Sequence, residues 1–353
     1  MKQYKNILIV RTDRIGDLVL TTPVILALRQ AYPDSNISIM VNPQAKPIVE
    51  GNPYLDEVIV FDRKKTHKGF WPLLKFIGHL RKKDFDLVLV LHTKKITNLI
   101  CFLAGIPQRV GYKNEKFGFF LNQGIKDTRA QGRQHEVQYC LDVLRHLGIP
   151  VGNPQMYIPL SAESKPWMEN FMMENCITES TPLIAVHPDA SCISKRWPAQ
   201  NFAELINMIN RHYSTKIVLI GNSGTRKIIS QIIPLLEKSV IDLSAETTLH
   251  QLIRLLRQCQ VLISNDSGPV HLAGALGIPV IAIFGRNQLG LSPTRWKPLS
   301  ERSIVLHKEV GCTVCLAHNC QIDFKCLQAI KPQEVFEALT QYLDYVKMNP
   351  HFA

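Results

Sequence analysis

The sequence predicts an α/β protein made of two similar halves, each wound around a parallel sheet, and three observations carry that prediction. Residues 261–285, VLISNDSGPVHLAGALGIPVIAIFG, read as a strand over 261–263, a polar turn over 264–269, a helix over 270–276 and a strand over 280–284. Short apolar runs separated by helix-length segments occur at 6–10, 37–41, 57–61 and 87–91. The alternation restarts at 183–186, 216–220, 240–242, 261–263, 280–284 and 304–306. Finally, 353 residues exceed one ordinary core, which favours two domains with a cleft between them. The boundary is expected within 160–180. There a helix over 135–147 has ended at Gly148, Pro150, Gly152 and Pro154, and only a short helical pattern over 167–173 follows.

Taken in order, the first strand runs into RTDRIGD and then into an apolar-periodic helix over 18–31. Asp17 stands where loop becomes helix. A carboxylate at that place either caps the helix or serves as a base at the carboxyl edge of the sheet, where open α/β folds place their chemistry. Gly16 beside it would let a substrate approach the backbone closely. Lys94 and Lys95 follow the strand over 87–91 and are the best placed of the first-half cations to meet a substrate; Arg81, Lys82 and Lys83 read as a solvated helix end. Phe70, Trp71, Phe76, Phe117, Phe119 and Phe120 accompany the basic residues, among them Lys116. With no nucleic-acid-binding signature present, core or membrane-surface packing is expected of them rather than base stacking.

In the second half, HPDASCISKRWP follows the strand over 183–186. Lys195 and Arg196 there suit neutralisation of a phosphate, with Ser191 and Ser194 as hydroxyl donors; a plain surface loop is the competing reading. GNSGTRK, after the next strand, fits any turn. At 264–269 the residues Asn265, Asp266 and Ser267 are offered as helix caps, with Gly268 and Pro269 opening the helix. The positive end of its dipole then faces the carboxyl edge of the sheet, and an anion is expected there, or else an ordinary capped helix. A last helix over 333–348 carries Val335, Phe336, Leu339, Tyr342, Leu343 and Val346 on one face.

Composition narrows the function classes. Hydrophobic residues make up 46% and charged residues 20%, and no run is long enough for a membrane span. The start MKQYKNILIV lacks a small-residue cleavage site, so a cytoplasmic protein is expected. Residues 1–165 hold 24 Lys and Arg against 14 Asp and Glu, whereas residues 166–353 hold 17 against 15. The first half therefore suits an acidic partner: nucleic acid, an anionic membrane surface, or a phosphorylated small molecule or lipid. Of the nine cysteines, Cys101, Cys140, Cys176, Cys192 and Cys259 read as scattered reduced thiols. Cys312, Cys315, Cys320 and Cys326 cluster and could form a structural zinc site, free thiols or a redox pair.

At RTDRIGDLVLTTP, HPDASCISKRWP and NDSGPVHLAGALGIPVIAIFG the chain resembles glycosyltransferase family 9, the bacterial ADP-heptose:lipopolysaccharide heptosyltransferases. The resemblance spans nearly the whole chain. It implies a GT-B fold: two Rossmann-like domains facing an interdomain cleft, with residues 1–165 binding the acceptor and 180–330 the nucleotide sugar, and a helix over 333–348 packing back on the first domain. By this resemblance Asp17 is the general base that activates the acceptor hydroxyl. Lys195, together with Asp266, Ser267 and Gly268 at the helix start, stabilises the leaving diphosphate; Ser191 and His271 fall on family positions in the donor site. The implied reaction inverts the heptose anomeric centre and requires no cofactor. The implied partners are ADP-heptose and a Kdo or heptose residue of the lipid A-linked lipopolysaccharide inner core, met peripherally at the cytoplasmic face of the inner membrane without nucleic acid.

Two departures from the family pattern stand out. The common HPGA is HPDA here, which sets Asp189 at a turn position that glycine fills easily. No carboxylate follows the GNSG turn to hold a ribose, since Thr225, Arg226 and Lys227 occupy that stretch. Other function classes compatible with the sequence are a nucleotide-sugar epimerase on the same architecture and a non-enzymatic basic module for anionic membrane or nucleic acid.

Overall fold

The structure, a computed structural model, describes residues 2–92, 94–113, 118–312 and 314–348, with side chains through 343 in the last helix. Lys116, Phe117 and the Val346 side chain lie outside the described residues. The chain divides into two compact units, Met1–Pro159 and Leu160–Ala353. The division falls at the start of the expected 160–180 boundary region, so the short helix Lys165–Glu174 belongs to the second unit.

The first unit holds strands β1 (Asn6–Arg11), β2 (Asn36–Val41), β3 (Glu57–Val60), β4 (Leu87–Val90), β5 (Gln108–Lys113) and β6 (Gln123–Lys126) in the order β3-β2-β1-β4-β5-β6. Every pairing is parallel, for instance Ile9 opposite Ile39 and Leu89. The second unit holds β7 (Leu183–His187), β8 (Lys216–Leu219), β9 (Ile241–Asp242), β10 (Val261–Asn265), β11 (Val280–Phe284) and β12 (Ser303–His307) in the order β12-β11-β10-β7-β8-β9, again all parallel. Counted within its own unit, each sheet has the 3-2-1-4-5-6 order of a Rossmann-like fold. Strand order therefore reverses between β1 and β4 in one unit and between β7 and β10 in the other. At such a switch point the loops leaving the two strands splay apart, which opens a crevice at the carboxyl edge.

The central strands are apolar because helices cover both faces of each sheet. β1, β4, β7, β10 and β11 are buried almost throughout. In the first unit Leu8, Val10, Val88 and Val90 pack with Phe76, Ile77 and Leu80 of the helix Phe70–Arg81 and with Ile100 and Cys101 of the helix Lys95–Leu103. In the second, Ile184, Val186, Ile263 and Ile283 pack with Trp197 and with Phe202, Leu205 and Ile206 of the helix Ala199–His212.

The last helix, Pro332–Met348, was expected to return to the first domain. Among the described side chains it buries Val335, Phe336, Leu339 and Leu343 in the core of the second unit, against the helix Ala199–His212. Its apolar stripe is satisfied there, next to His212 and Tyr213. Among the described residues no helix is long and apolar enough to cross a membrane.

Candidate active site

At the first switch point the chain places a cation in the core. Arg11 ends β1 and is 2% exposed. Its Nη1 donates to the Leu91 carbonyl at 2.8 Å, Nε to Asp13 Oδ1 at 2.9 Å, and Nη2 both to Asp17 Oδ1 at 2.9 Å and to Glu136 Oε1 at 3.2 Å. Burial opposes the guanidinium charge, but Asp13, Asp17 and Glu136 outweigh it and hold the Arg11 pKa well above its ordinary value. One cation thus anchors three carboxylates.

Asp17 lies in the short helix Ile15–Val19, whose N-cap is Arg14 and which has no side-chain cap. The capping alternative is therefore excluded: the carboxylate points to Arg11 instead. Its Oδ1 is fixed, and its Oδ2 accepts no hydrogen bond from any described residue. A carboxylate held by one oxygen with the other uncommitted has the geometry of a positioned proton acceptor. Gly16 is buried within the same helical turn. The predicted single helix over 18–31 is broken into Ile15–Val19 and Thr22–Ala31, with Thr21 Oγ1 donating to the Asp17 carbonyl at 2.9 Å where the break occurs.

Residues after β4 complete this site. Lys94 Nζ donates to the Thr12 carbonyl at 2.7 Å; burial, aided by Arg11 and Arg14, lowers its pKa against the pull of Asp13 and Asp17. His92 is buried, with Nδ1 3.3 Å from the Val10 carbonyl and Nε2 3.2 Å from Thr12 Oγ1. A carbonyl only accepts, so Nδ1 carries the proton and Nε2 accepts from Thr12. Burial, with Arg11 and Lys94 nearby, pushes the His92 pKa down to about 3. This imidazole is a neutral brace between β1 and β4, not a competing base.

The second switch point reverses the charges. Here the buried group is a carboxylate, Asp266, 3% exposed, at the end of β10. Its Oδ2 receives Lys195 Nζ at 2.9 Å and Arg286 Nη2 at 3.2 Å. Asp266 and Ser267 lead into the helix Gly268–Ala275, with Pro269 in its first turn. The expected caps do not cap. Ser267 makes no side-chain cap bond; its hydroxyl lies 3.1 Å from His187 Nδ1 and 3.0 Å from Ser264 Oγ. Asn265 clamps two loops instead, donating to the Pro188 carbonyl at 2.7 Å and accepting from the Trp197 amide at 3.0 Å. The helix start is thereby left without a side-chain cap, with a lysine and an arginine beside it. Burial pushes the His187 pKa down to about 4, so it too is a neutral brace.

The loop after β7 is fixed from several sides. Asp189 does not adopt the left-handed conformation that would favour glycine, so the backbone accepts aspartate at this position of HPDA. Its carboxylate accepts from Arg196 Nε at 2.9 Å, from the Ala190 amide at 2.7 Å and from Thr225 Oγ1 at 3.2 Å, so its charge is consumed within the loop. Arg196 Nε is thus spent within the loop, while its side chain stays 41% exposed. Thr225 ties in the GNSG turn, where Gly221 is required: a Cβ there would lie 2.4 Å from Thr225 Oγ1. Ser191 is exposed and bonds to no described residue, whereas Ser194 is buried and meets His318 Nδ1 at 3.2 Å. His271 is 5% exposed, 6.2 Å from the Trp296 ring.

The structure therefore joins Lys195 to Asp266 in one cluster and Asp17 and Lys94 in the other. Arg11, Asp13, Glu136, His92 and Arg286 belong to these clusters and were missed from the sequence. A charged residue ending an apolar run, as Arg11 does, or following one directly, as Arg286 follows FG, is the signal that could have found them. Zinc binding by the cysteine cluster finds no support in the structure. Among the described residues no group of three or more His, Cys, Asp or Glu is placed to hold a metal. Cys326 Sγ donates to the Gly285 carbonyl at 2.9 Å, Cys320 Sγ accepts from the Phe324 amide at 3.3 Å, and Cys312 is exposed.

Comparison with known proteins follows the same lines. Residues 73–325 match the family model described as glycosyltransferase family 9 (heptosyltransferase). Lipopolysaccharide heptosyltransferase 2 of Salmonella typhimurium is 27% identical over 353 residues, covering 96% of this chain and 98% of that protein. Among solved structures, the glycosyl transferase family 9 protein from Veillonella parvula aligns with a TM-score of 0.88 at 25% identity, over 97% of this chain and 98% of that one. The Escherichia coli ADP-heptose lps heptosyltransferase II aligns with a TM-score of 0.78 at 25% identity, over 97% and 99%.

Proposed function

The chain belongs to glycosyltransferase family 9, the heptosyltransferases, and from that premise we propose that it transfers a heptose from ADP-heptose to a Kdo or heptose residue of the lipopolysaccharide inner core, with inversion. The observation that carries the reading is Asp17, held through Oδ1 by the buried Arg11 with Oδ2 left uncommitted. The acceptor hydroxyl loses its proton to Asp17 as its oxygen bonds to the anomeric carbon. The bond from that carbon to the diphosphate oxygen breaks in the same displacement, which inverts the centre and releases ADP. Lys195 and the amides opening the helix Gly268–Ala275 take up the charge that grows on the diphosphate, so stabilisation is greatest in the transition state. His271 and Ser191 are assigned to the donor side, Lys94 and Gly16 to the acceptor side. In this reading the first unit binds acceptor and the second binds donor.

The acceptor is anchored in a membrane, and the first unit carries features suited to that. On the helix Phe70–Arg81 the side chains Phe70, Trp71 and Leu74 are 67%, 77% and 39% exposed. Exposed cations Arg63, Lys64, Lys65, Lys68, Lys75 and Lys82 surround them. Aromatic side chains among cations suit peripheral docking on an anionic leaflet, here the cytoplasmic face of the inner membrane.

Incubation with a panel of ADP- and UDP-sugars and deacylated inner-core acceptors, read by mass spectrometry, tests the reading. One heptose added to the acceptor from ADP-heptose alone is expected. Transfer from a UDP-sugar would overturn the donor, and free sugar without any acceptor product would overturn transfer in favour of an epimerase-like reaction.

A further inference from the structure

We infer that Arg286 is a second diphosphate-binding cation, acting directly on the leaving group beside Lys195. The inference rests on the donor reading above and extends it to a residue outside the three motifs that define the family resemblance.

The geometry begins with parallel strand register. Asn265 of β10 lies opposite Ile283 of β11, and the Asp266 amide donates to the Ile283 carbonyl at 3.0 Å, so the residues leaving both strands emerge at one carboxyl edge. Arg286 leaves β11 two residues after Phe284 and reaches Asp266 Oδ2, the same oxygen that holds Lys195. The three groups form one cluster in front of the helix Gly268–Ala275. Arg286 is 6% exposed, yet among the described residues its Nε has no hydrogen-bond partner. A buried guanidinium that spends Nη2 on a carboxylate and leaves Nε unpaired is only half satisfied by the protein. It also lines, with Ser194 of the Lys195 loop and the loop after His307, a cavity of about 450 Å³, so its side chain is not packed on every side by protein.

Charge gives the reason for a second cation. One carboxylate offsets one of the two cations, leaving a net single positive charge plus roughly half a charge from the helix end. A sugar nucleotide brings two negative charges to this site, and a third develops as ADP departs. Without Arg286 the Lys195–Asp266 pair would be neutral and only the helix end would oppose them. A planar guanidinium also matches the paired oxygens of a phosphate in a way an ammonium cannot.

The test is calorimetric titration of wild type, Arg286→Gln and Arg286→Lys with ADP, AMP and inorganic pyrophosphate, with thermal unfolding as a folding check. A loss of at least tenfold in ADP and pyrophosphate affinity for Arg286→Gln is expected, with AMP changed much less and Arg286→Lys between the two. ADP and pyrophosphate affinities within twofold of wild type in a folded Arg286→Gln would overturn the inference. Arg286→Gln in an Asp266→Asn background separates contact from positioning: a further loss of similar size supports direct contact, and no further loss overturns it. If wild type binds pyrophosphate in an Arg286-dependent way but not ADP, the nucleotide reading falls and the Arg286 assignment stands. If wild type binds neither, both fall.

Discussion

The two switch points are built on the same strand order and carry opposite electrostatics. In the first unit a buried cation, Arg11, gathers three carboxylates; in the second a buried carboxylate, Asp266, gathers two cations. Each arrangement solves the cost of a buried charge in the same way, by pairing, but the surplus has the opposite sign. A surplus of carboxylate beside an incoming hydroxyl favours proton removal. A surplus of cation at a helix start favours a departing diphosphate. On the proposed reading, a repeated fold supplies the location, while one charged residue at or just after a central strand sets the chemistry.

The largest effect that would sharpen this contrast is on stability. Arg11→Met removes the cation shared by Asp13, Asp17 and the 1%-exposed Glu136, and should cost about 3–5 kcal/mol because three carboxylates lose their common buried partner. Arg286→Gln leaves Asp266 still paired with Lys195 and should cost about 1 kcal/mol. Denaturant unfolding of both variants measures the difference, and equal losses would break the asymmetry. Next in size, Lys195→Ala should weaken ADP binding by about 1.5–3 kcal/mol, the range of a charge-assisted bond, and slow transfer as well. Unchanged calorimetric and kinetic constants would remove Lys195 from the site.

The smallest effect is shared by the two units. His92 and His187 are held far below an ordinary pKa of 6.5, at about 3 and about 4. The folded state keeps both neutral, so the unfolded state binds more protons in that window. Their stabilisation is full above pH 6.5 and is lost as pH falls toward 4 and 3, by at most about 1.4 kcal/mol per pH unit for each histidine. His92→Gln and His187→Gln should each flatten the fall of stability between pH 6.5 and 4. A slope unaltered in either variant would contradict the assignment of that histidine.

Much of this was legible in the sequence because buried parallel strands are short apolar runs with little else in them. All six strands of the second unit stand where those runs predict, β10 and β11 most plainly. In the first unit β5 and β6 were not anticipated: QRVGYK and QGIK carry glycine and charge, and they are recognisable only beside β4, which supplies their partner edge. The site was half legible. Asp17, Lys195 and Asp266 lie in or just beyond the loops that leave strands at the carboxyl edge, and that position marks them. Arg11, Glu136 and Arg286 matter through contacts with residues up to 129 positions away, and spacing along the chain cannot report those. The zinc expectation found no support for the same reason, since Cys326 and Cys320 bond separately to the Gly285 and Phe324 backbone and Cys312 is exposed.

The division of labour between the two clusters is tested most directly by one variant, Asp17→Asn, assayed for ADP-heptose transfer and for ADP binding on the same preparation. The amide keeps the side-chain shape and cannot take the proton. Transfer should fall by roughly 10²–10⁴-fold, the range for loss of a general base, while the ADP dissociation constant stays at the wild-type value. Wild-type turnover, or ADP binding weakened in step with turnover, would contradict it.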